Sequence, residues 1–439
     1  MTSPNQSPAE RPPGFVYRKS KGGKSSASLA SLHCEDVSLT QLAAKHGTPL
    51  YVYSSATIHE RYEAFDSAFR DIPHTICYSV KANSNLSILR LLAKKGRGFD
   101  VVSGGELERV LIADRKAVKN VVFSGVGKTR EELTAALKAG ILIFNVESES
   151  ELSALAECAA RLRKTAPVAL RVNPDVATET HPYISTGLHK HKFGVPIGTS
   201  RALYAKAAEA KYMKPRGVSV HIGSQITDPA PFGEAMARVA ELVRQLRADG
   251  HDIEYVDAGG GLGISYDNPN TVDFAAYVAT YARALAAPLR EMKVRLLLEP
   301  GRSIIGPAGI LLTKVVYKKS NDGKRFFVVD AGMNDLIRPS LYGAYHEIVP
   351  VTLRANTNTE TADIVGPVCE TGDFFARDRE LSGVEEGDLL AILDTGAYGM
   401  VLASNYNTRP RPEEVLISRN SVKVIRKRER VSELLRGER

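Results

Sequence analysis

The stretch TICYSVKANSNLSILRLLAKKGRGFDVVS (residues 75–103) contains a strand–helix–strand pattern. Two short runs rich in β-branched, aromatic and apolar residues, TICYSVKA (75–82) and FDVVS (99–103), flank a helix-like segment at 84–95. Strands that are apolar on both faces are typical of a parallel sheet covered by helices. The stretch therefore predicts one complete βα unit followed by the strand of the next.

The same alternation continues to residue 302. The six further strand-like runs are VVFSG (121–125), ILIFNVES (141–148), VALRVNP (168–174), GVSVHIG (217–223), IEYVDAGGG (253–261) and VRLLLEPGR (294–302). Helix-like segments between the runs include 129–138, 149–164, 231–249 and 272–291. Eight βα units predict a closed (β/α)8 TIM-like barrel within residues 45–302. A doubly wound open sheet is the alternative that the alternation by itself leaves open.

Polar residues and glycines at the ends of these runs favour the barrel. They are Lys81, Ser103, Glu147, Asn173, His221, the glycines of 259–263, and Arg302. In a barrel the carboxyl ends of the strands converge on one face, whereas an open sheet spreads them along a line. The longer insert HPYISTGLHKHKFGV (181–195) is predicted to be a lid-like loop over that face.

After residue 303 the helix-like segments stop, and strand-like runs follow one another. They are GILLTKVVYKK (309–319), KRFFVVDAG (324–332), ADIVGPV (362–368), DLLAILDTG (388–396) and EEVLISR (413–419). This pattern predicts a second, antiparallel β domain over 303–420. An N-terminal strand within 14–40, at GFVYRK (14–19), is expected to join it, and residues 49–53 are expected to add a further strand.

Composition predicts a soluble globular protein of 439 residues, 43% hydrophobic and 25% charged. The excess basic charge of +8 lies in the two ends, so residues 1–27 are expected to be a disordered leader and 421–439 a solvated basic tail. Basic ends without a basic folded face do not predict nucleic-acid binding. No apolar run approaches the ~18 residues of a membrane span, so no membrane partner is expected.

The four cysteines, Cys34, Cys77, Cys158 and Cys369, form no CxxC pair and no spacing typical of zinc. Reduced thiols indicate a cytoplasmic location, and no metal site is predicted. A structural role is expected for the first three. Cys369 differs because its neighbours are polar and charged.

Four of the strand ends carry groups suited to one cofactor. Lys81 supplies an amine that can attack an aldehyde when deprotonated. His221 supplies a flat ring, and Glu299 a carboxylate that can bond a pyridine nitrogen. DAGGGLG (257–263) supplies consecutive glycines whose N–H groups can approach a phosphate, with the Ser224 hydroxyl as a further donor. These are the groups needed to hold pyridoxal phosphate, whose protonated ring stabilises a carbanion left by loss of CO₂.

A second group of candidates lies in the β domain. MNDLIRPSLYGAYH (333–346) carries Arg338 and Tyr342, CETGD (369–373) carries Cys369 and Glu370, and DTGAYGMVLASNYN (394–407) carries Tyr398. Arginine suits a bidentate carboxylate and glutamate an ammonium, while a tuned thiol can donate a proton. The alternative for this group is an interface between two domains or two subunits. The same residues can serve such an interface and a substrate site together.

These strings, in this order over residues 45–420, resemble the fold-type III pyridoxal-phosphate decarboxylases. The resemblance implies an alanine-racemase-like barrel, a C-terminal β domain, and a homodimer whose two sites borrow residues from each other. It further implies decarboxylation of meso-2,6-diaminopimelate to L-lysine and CO₂, the last step of lysine biosynthesis.

By the same resemblance, Lys81 is the Schiff-base lysine and Cys369 the proton donor. The cofactor contacts that it implies are His221, Ser224, Gly260, Gly261, Glu299, Gly301, Arg302 and Tyr398. The substrate contacts that it implies are Arg302, Arg338, Tyr342, Glu370 and Tyr398.

Three alternatives remain. An ornithine or arginine decarboxylase would carry an acidic residue for a distal amine, and it lacks the MNDLIRP string. An alanine racemase pairs the pyridine nitrogen with arginine, not with a residue like Glu299. A non-catalytic pyridoxal-phosphate carrier resembles a lone barrel, so the β domain argues against it.

Overall fold

The structure, a computed structural model, describes residues 14–19, 28–176, 192–267, 273–355 and 357–438. The chain divides into two compact units. The barrel unit contains Arg61–Ile264 and Asp273–Ser303, and the sheet unit contains Met1–Glu60, Ser265–Val272 and Ile304–Arg439.

The chain begins in the sheet unit. Its first described elements are β1 (Phe15–Arg18), β2 (Ser28–Cys34), β3 (Val37–Ser38), α1 (Leu39–His46), β4 (Leu50–Ser54) and α2 (Ser55–Ala68). The chain passes into the barrel unit within α2. Residues 1–13 and 20–27 of the expected leader lie outside the described residues, and β1 occupies part of the segment between them.

The barrel consists of eight parallel strands. The strands, with one short addition at β10, are β5 (His74–Ser79), β6 (Gly98–Val101), β7 (Val121–Phe123), β8 (Ile143–Val146), β9 (Ala166–Asn173), β10 (Val195–Pro196), β11 (Met213–Ser219), β12 (Tyr255–Asp257) and β13 (Arg295–Leu298). Each of the eight barrel strands pairs with the next around the ring, β9 with β11 and β13 with β5, and the short β10 pairs with β9. The predicted barrel is confirmed, and the open-sheet alternative is wrong because an open sheet has two unpaired edges.

In the part of the chain that the structure describes, seven α-helices lie between these strands. They are α3 (Leu86–Ala93), α4 (Gly104–Ala113), α5 (Arg130–Ala139), α6 (Glu149–Leu162), α7 (Ile197–Glu209), α8 (Ala230–Ala248) and α9 (Phe274–Ala286). Several begin at a side chain that accepts a hydrogen bond from the first turn, as Ser103, Thr129 and Ser148 do. Such caps satisfy backbone N–H groups that the helix leaves without a partner. Residues 177–191, which include most of the predicted lid, lie outside the described residues.

Side chains from facing strands fill the barrel interior. One buried cluster joins Cys77, Val122, Ile143, Ala169 and Leu297, from five different strands. Apolar residues that point inward from alternate strands make such a barrel a packed core and not a pore. The polar groups described below therefore stand at the carboxyl ends of the strands, above this core.

The rest of the sheet unit follows α10 (Arg302–Ile305), in which the chain leaves the barrel unit. Its elements are β14 (Gly309–Asn321), β15 (Lys324–Val329), α11 (Arg338–Tyr342), β16 (Ile348–Pro350), β17 (Thr352–Arg354), β18 (Thr359–Val365), β19 (Phe374–Ser382), β20 (Leu389–Ile392), β21 (Glu413–Ser418), β22 (Ser421–Arg426) and α12 (Val431–Leu434). The main sheet runs in the order β19-β18-β15-β14-β4-β21-β22, and β20 pairs with β14 and β16. A smaller sheet joins β1, β2, β3 and β17.

Two features of this unit differ from the sequence expectation. The pairs β15–β18 and β21–β4 are parallel, so the sheet is mixed and not purely antiparallel. Residues 421–426, expected to be a solvated tail, form β22 against β21, and Arg426 forms an ion pair with the buried Glu414. The charge count did not reveal this strand, and its side chains are exposed or only half-buried.

The sheets of this unit cover one apolar core. Its buried members include Leu32, Leu50, Val52, Ile310, Leu312, Val415 and Ile417. Among the described residues, no helix combines the length and apolarity needed to cross a membrane.

Candidate active site

Lys81 lies immediately after β5, in a short 3-10 turn formed by Val80–Ala82. Its side chain is 37% exposed, and its Nζ lies 3.0 Å from Oδ2 of Asp100. Asp100 is fully buried in β6 and also accepts a 2.7 Å hydrogen bond from Ser79 Oγ. An amine beside a buried carboxylate is held in one place while its outer side stays accessible.

A glycine run lies beyond the end of β12. Gly259 and Gly261 have positive φ angles of +65° and +105°, which glycine adopts without strain. A Cβ on Gly260 would lie 2.2 Å from the carbonyl oxygen of Glu299, so no other residue fits there. The run thus brings backbone close to the neighbouring strand end, as a phosphate cradle requires.

His221 stands two residues beyond β11 and faces this run. Its Nδ1 accepts a 3.2 Å hydrogen bond from the N–H of Gly260, which places the ring proton on Nε2. Desolvation lowers the pKa of His221 well below its ordinary value, and the nearby cations Arg171 and Lys81 lower it further. The ring is therefore neutral at physiological pH.

Arg302 and Ser224 approach each other beside the same run. Arg302, 8% exposed at the start of α10, donates from Nη2 to Ser224 Oγ over 3.3 Å. Gly301 precedes Arg302, and a Cβ added to it would lie 2.9 Å from the Ala82 side chain and 3.0 Å from the Ser79 side chain. A cation and a hydroxyl thus border the glycine run.

Glu299 follows β13, next to β5, and is 6% exposed. Its Oε1 accepts a 3.3 Å hydrogen bond from Ser124 Oγ. Asn145 Nδ2 in turn donates to Ser124 Oγ over 3.0 Å and to Asp257 Oδ2 over 2.5 Å. These four residues come from four strand ends and form one polar network across the top of the barrel interior.

Three buried carboxyl groups, Asp100, Asp257 and Glu299, share this region. Burial raises the pKa of Glu299 well above its ordinary value, and the charges of Asp100 and Asp257 raise it further. Burial also raises the pKa of Asp257, although hydrogen bonds from Asn145 and Gly259 oppose that rise. Glu299 is therefore the group that holds a proton, and it is bonded to Asp257.

Sequence reasoning missed most of this network. Asp100, Asn145, Asp257 and Ser124 were not singled out, although each is a polar residue within or just past an apolar strand-like run. Because a buried polar group must be hydrogen-bonded, such residues are the signal that could have identified it.

A buried ion pair flanks the network. Arg171 of β9 lies 3.2 Å from Glu147, and Glu147 also accepts hydrogen bonds from the N–H groups of Gly125 and Gly194. Glu147 was expected only as a strand-end residue. Its contacts instead link the loops that follow β7 and β9.

In the sheet unit, the predicted substrate residues lie on segments that are bonded to one another. Ser340 Oγ of α11 donates to the carbonyl of Gly372 over 2.5 Å, and the N–H of Ser404 donates to the carbonyl of Asn334. The buried carboxylate of Asp373 accepts 2.6 Å hydrogen bonds from the N–H groups of Met333 and Val368. The three motifs of this unit therefore form one scaffold.

Individual positions on this scaffold differ in exposure. Arg338 is 5% exposed, and Tyr342 and Tyr398 are half-buried. Cys369 and Glu370 are exposed, and the N–H of Cys369 donates to Asn407 Oδ1 over 2.8 Å. Tyr398 has a φ angle of +57°, which is uncommon for an aromatic residue and is typical of a functional position held by its surroundings.

The barrel and its strand-end groups correspond to a known class of enzyme. The family model for the pyridoxal binding domain of pyridoxal-dependent decarboxylases matches residues 55–306, more than half of the chain. The fold and the matched segment thus define a pyridoxal-phosphate-dependent decarboxylase.

Relatives of known function narrow this class. The chain is 49% identical to a diaminopimelate decarboxylase of Pseudomonas aeruginosa, over 93% of this chain and 97% of the relative. It is 50% identical to one of Aquifex aeolicus, over 91% and 93%. The crystal structure of diaminopimelate decarboxylase from Helicobacter pylori complexed with L-lysine superposes with a TM-score of 0.86, at 42% identity over 91% of this chain and 99% of that one. The chain belongs to the diaminopimelate decarboxylase family.

The cofactor of the enzyme is pyridoxal 5'-phosphate, and the strand ends fit it. The end of β5 carries a partly exposed amine, and the end of β11 carries a neutral ring. The end of β12 carries a glycine run without room for a Cβ. A buried carboxyl that holds a proton stands on β13. These are the groups that an aldehyde, an aromatic ring, a phosphate and a pyridine nitrogen require.

Proposed function

We propose that this chain decarboxylates meso-2,6-diaminopimelate to L-lysine and CO₂, the last step of lysine biosynthesis, and that it does so in the cytoplasm. The observation that carries the proposal is the placement of Lys81 and Glu299 at the ends of adjacent, paired strands, β5 and β13. A pyridine ring with an aldehyde substituent needs an amine near one end and an acid near its nitrogen. The names of relatives at 49–50% identity support the substrate.

Four side chains would hold the cofactor in this proposal. Lys81 binds the aldehyde covalently, and His221 stacks on the ring. Glu299 supplies a proton and a counter-charge to the ring nitrogen, because its pKa is raised by burial and by the neighbouring carboxylates. Ser224 hydrogen-bonds the phosphate.

Backbone and one arginine complete the phosphate site. Gly260, Gly261 and Gly301 approach the phosphate through their N–H groups, and Arg302 adds a positive charge at its border. When bound, pyridoxal phosphate supplies an electron sink for the electron pair left when CO₂ departs.

Five side chains would supply substrate recognition, four of them from the sheet unit and Arg302 from the barrel unit. Arg302, Arg338 and Tyr342 bind the distal carboxylate, which a diamine-producing decarboxylase has no need to recognise. Glu370 binds the distal ammonium, and Tyr398 contacts both substrate and cofactor. Recognition of both distal charges explains why the substrate must carry a second amino-acid end.

Cys369 would complete the reaction. Its Sγ donates a proton to the Cα atom, which replaces the carboxylate lost as CO₂. Since Cys369 and Glu370 are both exposed on their own chain, we propose that they act on the barrel of a partner subunit in a homodimer.

The proposed function is tested by CO₂ release from meso-diaminopimelate, ornithine, arginine and L-lysine, measured side by side. We expect release from meso-diaminopimelate alone. Release mainly from ornithine or arginine would overturn the substrate, and release from none would favour a carrier of the cofactor.

The lysine assignment is tested in the same assay. Lys81→Ala should lose the absorbance band of the lysine-bound cofactor and lower kcat by at least about 1000-fold, since the covalent attachment is lost. Lys95→Ala, which removes a surface lysine paired with Glu63, is the matched control and should keep both. Retention of band and turnover in Lys81→Ala would contradict the assignment.

A further inference from the structure

Arg338 is held by a fully buried histidine of its own unit. Its Nη1 lies 2.7 Å from Nε2 of His346, a residue with 0% exposure. The ring of Tyr266 packs against the guanidinium, with 4.7 Å between the guanidinium carbon and the ring centroid. The same tyrosine meets His346 edge-on at 5.1 Å between ring centroids. Two rings thus define the position of one arginine side chain.

The hydrogen bonds fix the protonation form of His346. Its Nδ1 lies 2.7 Å from the carbonyl oxygen of Leu393, and a carbonyl oxygen can only accept, so Nδ1 carries the proton. A guanidinium can only donate, so Nε2 must be the bare, accepting nitrogen. With one proton and two satisfied nitrogens, His346 is neutral.

The backbone holds His346 in turn. Leu393 directly follows β20, and Glu347 alone separates His346 from the start of β16. These strands pair in antiparallel register, with Ile348 opposite Ile392, and the N–H of Leu393 also donates to the carbonyl of Glu347 over 2.8 Å. A histidine fixed by a strand pair can therefore transmit that rigidity to Arg338.

A neutral acceptor has a specific advantage here. An arginine that is 5% exposed needs a hydrogen-bond partner, because a buried donor without one is costly. A carboxylate in the place of His346 would bring a negative charge to the guanidinium, whereas a neutral imidazole holds it and adds no charge of its own. The contact with His346 uses Nη1, one of the three nitrogens of the guanidinium. A guanidinium can bond a carboxylate through two parallel N–H groups.

We propose that His346 is a positioning residue that sets Arg338 for the distal carboxylate of the substrate without neutralising it. The inference rests on the proposed function, in which Arg338 binds that carboxylate. Since L-lysine keeps the distal amino-acid end of diaminopimelate after CO₂ is lost, both substrate and product should sense the loss of His346.

The test uses the holoenzyme with His346→Phe, which keeps a flat ring but no acceptor. We expect KM for meso-diaminopimelate to rise about 10- to 100-fold, as for loss of a hydrogen bond to a charged group, while kcat stays within about threefold. L-Lysine affinity, measured by calorimetry, should fall by a similar factor. His346→Gln, whose amide oxygen can accept from Arg338, should recover much of both.

A matched control and a double mutant separate positioning from general damage. His46→Gln removes another histidine of the sheet unit, one bonded to Glu413, and should leave KM unchanged. In an Arg338→Ala background, His346→Phe should have no further effect on KM, because the two residues act as one unit.

The outcomes distinguish the two proposals. If Arg338→Ala leaves KM and L-lysine affinity unchanged, the assigned role of Arg338 is wrong. If Arg338→Ala raises KM but His346→Phe does not, or if His346→Phe raises KM equally in both backgrounds, the role of His346 is wrong and that of Arg338 stands. Should His346→Phe not fold, His346→Gln decides: its KM must lie between those of the wild type and Arg338→Ala.

Discussion

At the scale of single residues, the barrel unit concentrates buried acids around one amine. Asp100, Asp257 and Glu299 are each at most 6% exposed, and burial raises the pKa of Asp257 and of Glu299. The arrangement costs stability in the absence of a positive partner. Perturbed acids of this kind gather at functional sites, where the partner is a substrate or a cofactor.

Glu106 of α4 is a third acid with a raised pKa in this region. Burial raises its pKa from 4.5 to about 7, and the charge of Asp100 adds to that rise, although the N–H of Val102 bonds its carboxylate and opposes it. Because the pKa in the folded protein exceeds that in the unfolded chain, the folded protein binds more protons between about pH 4.5 and 7. The free energy of unfolding therefore falls as pH rises through that interval.

Glu106→Gln removes the charge and keeps an acceptor for Val102. At pH 8.5 we expect the variant to be more stable than the wild type by about 2 kcal/mol, a value reduced for the partial exposure of the side chain. At pH 4, below the pKa of the unfolded chain, the difference should vanish. Urea unfolding at the two pH values checks this, with the exposed Glu108→Gln of the same helix as control. A wild type that is more stable than the variant at pH 8.5 would contradict the prediction.

At the scale of elements, each contribution to the site comes from a strand end. Parallel strands of a barrel direct all their carboxyl ends to one face, so β5, β11, β12 and β13 deliver Lys81, His221, the glycine run and Glu299 to it. The turn after β12 is the most demanding of these connections, because its backbone passes close to the end of β13.

Gly260→Ala tests that close approach. The added Cβ would lie 2.2 Å from the carbonyl oxygen of Glu299, a backbone atom that cannot rotate away. The ends of β12 and β13 must separate, and we expect the Kd for pyridoxal phosphate to rise about tenfold or more. Titration of the cofactor-free protein, followed by absorbance, measures it.

Gly198→Ala provides the control for this substitution. Gly198 lies in α7, and a Cβ there meets no atom within 4 Å, so cofactor affinity should not change. Equal affinity in Gly260→Ala and the wild type would show that the glycine run does not form the phosphate site.

At the scale of the whole molecule, the proposed chemistry needs groups from both units. Lys81 belongs to the barrel unit, while Cys369 and Glu370 are exposed on the sheet unit. In the proposed homodimer, each complete site takes Lys81 from one subunit and Cys369 from the other.

Mixing two inactive variants tests this sharing. Lys81→Ala and Cys369→Ala should each be inactive, because each either binds substrate poorly or binds it without turning it over. If dimers form at random from an equal mixture, half are mixed and one of their two sites is intact, so about a quarter of wild-type activity should return. Co-refolding followed by the CO₂ assay measures it.

The same variants give the control. Each variant refolded alone should stay inactive. When a chain that carries both substitutions is refolded with an equal amount of wild type, both sites of a mixed dimer are incomplete, so activity should fall to about a quarter of that of the same total amount of wild-type protein. No recovery in the mixture would place Lys81 and Cys369 of one site on the same subunit.

The order of residues along the chain was enough to predict the barrel and the identities of its principal groups. Apolar runs alternating with helical segments specify eight βα units, because only buried parallel strands tolerate apolar residues on both faces. Lys81, His221, Glu299 and the glycine run could be selected because each interrupts such a run at its end, where side chains reach a common face.

The contacts between polar residues became visible in the folded chain alone. Asp100 with Lys81, Asn145 with Asp257, and His346 with Arg338 are separated in sequence or hidden within motifs, and no local periodicity encodes their contacts. The parallel pairs of the sheet unit and the strand at 421–426 also escaped prediction, because strand pairing is fixed by partners distant in the chain. Local pattern specifies which elements form and which faces are apolar, whereas burial and hydrogen bonding between distant segments determine the position and protonation of each functional group.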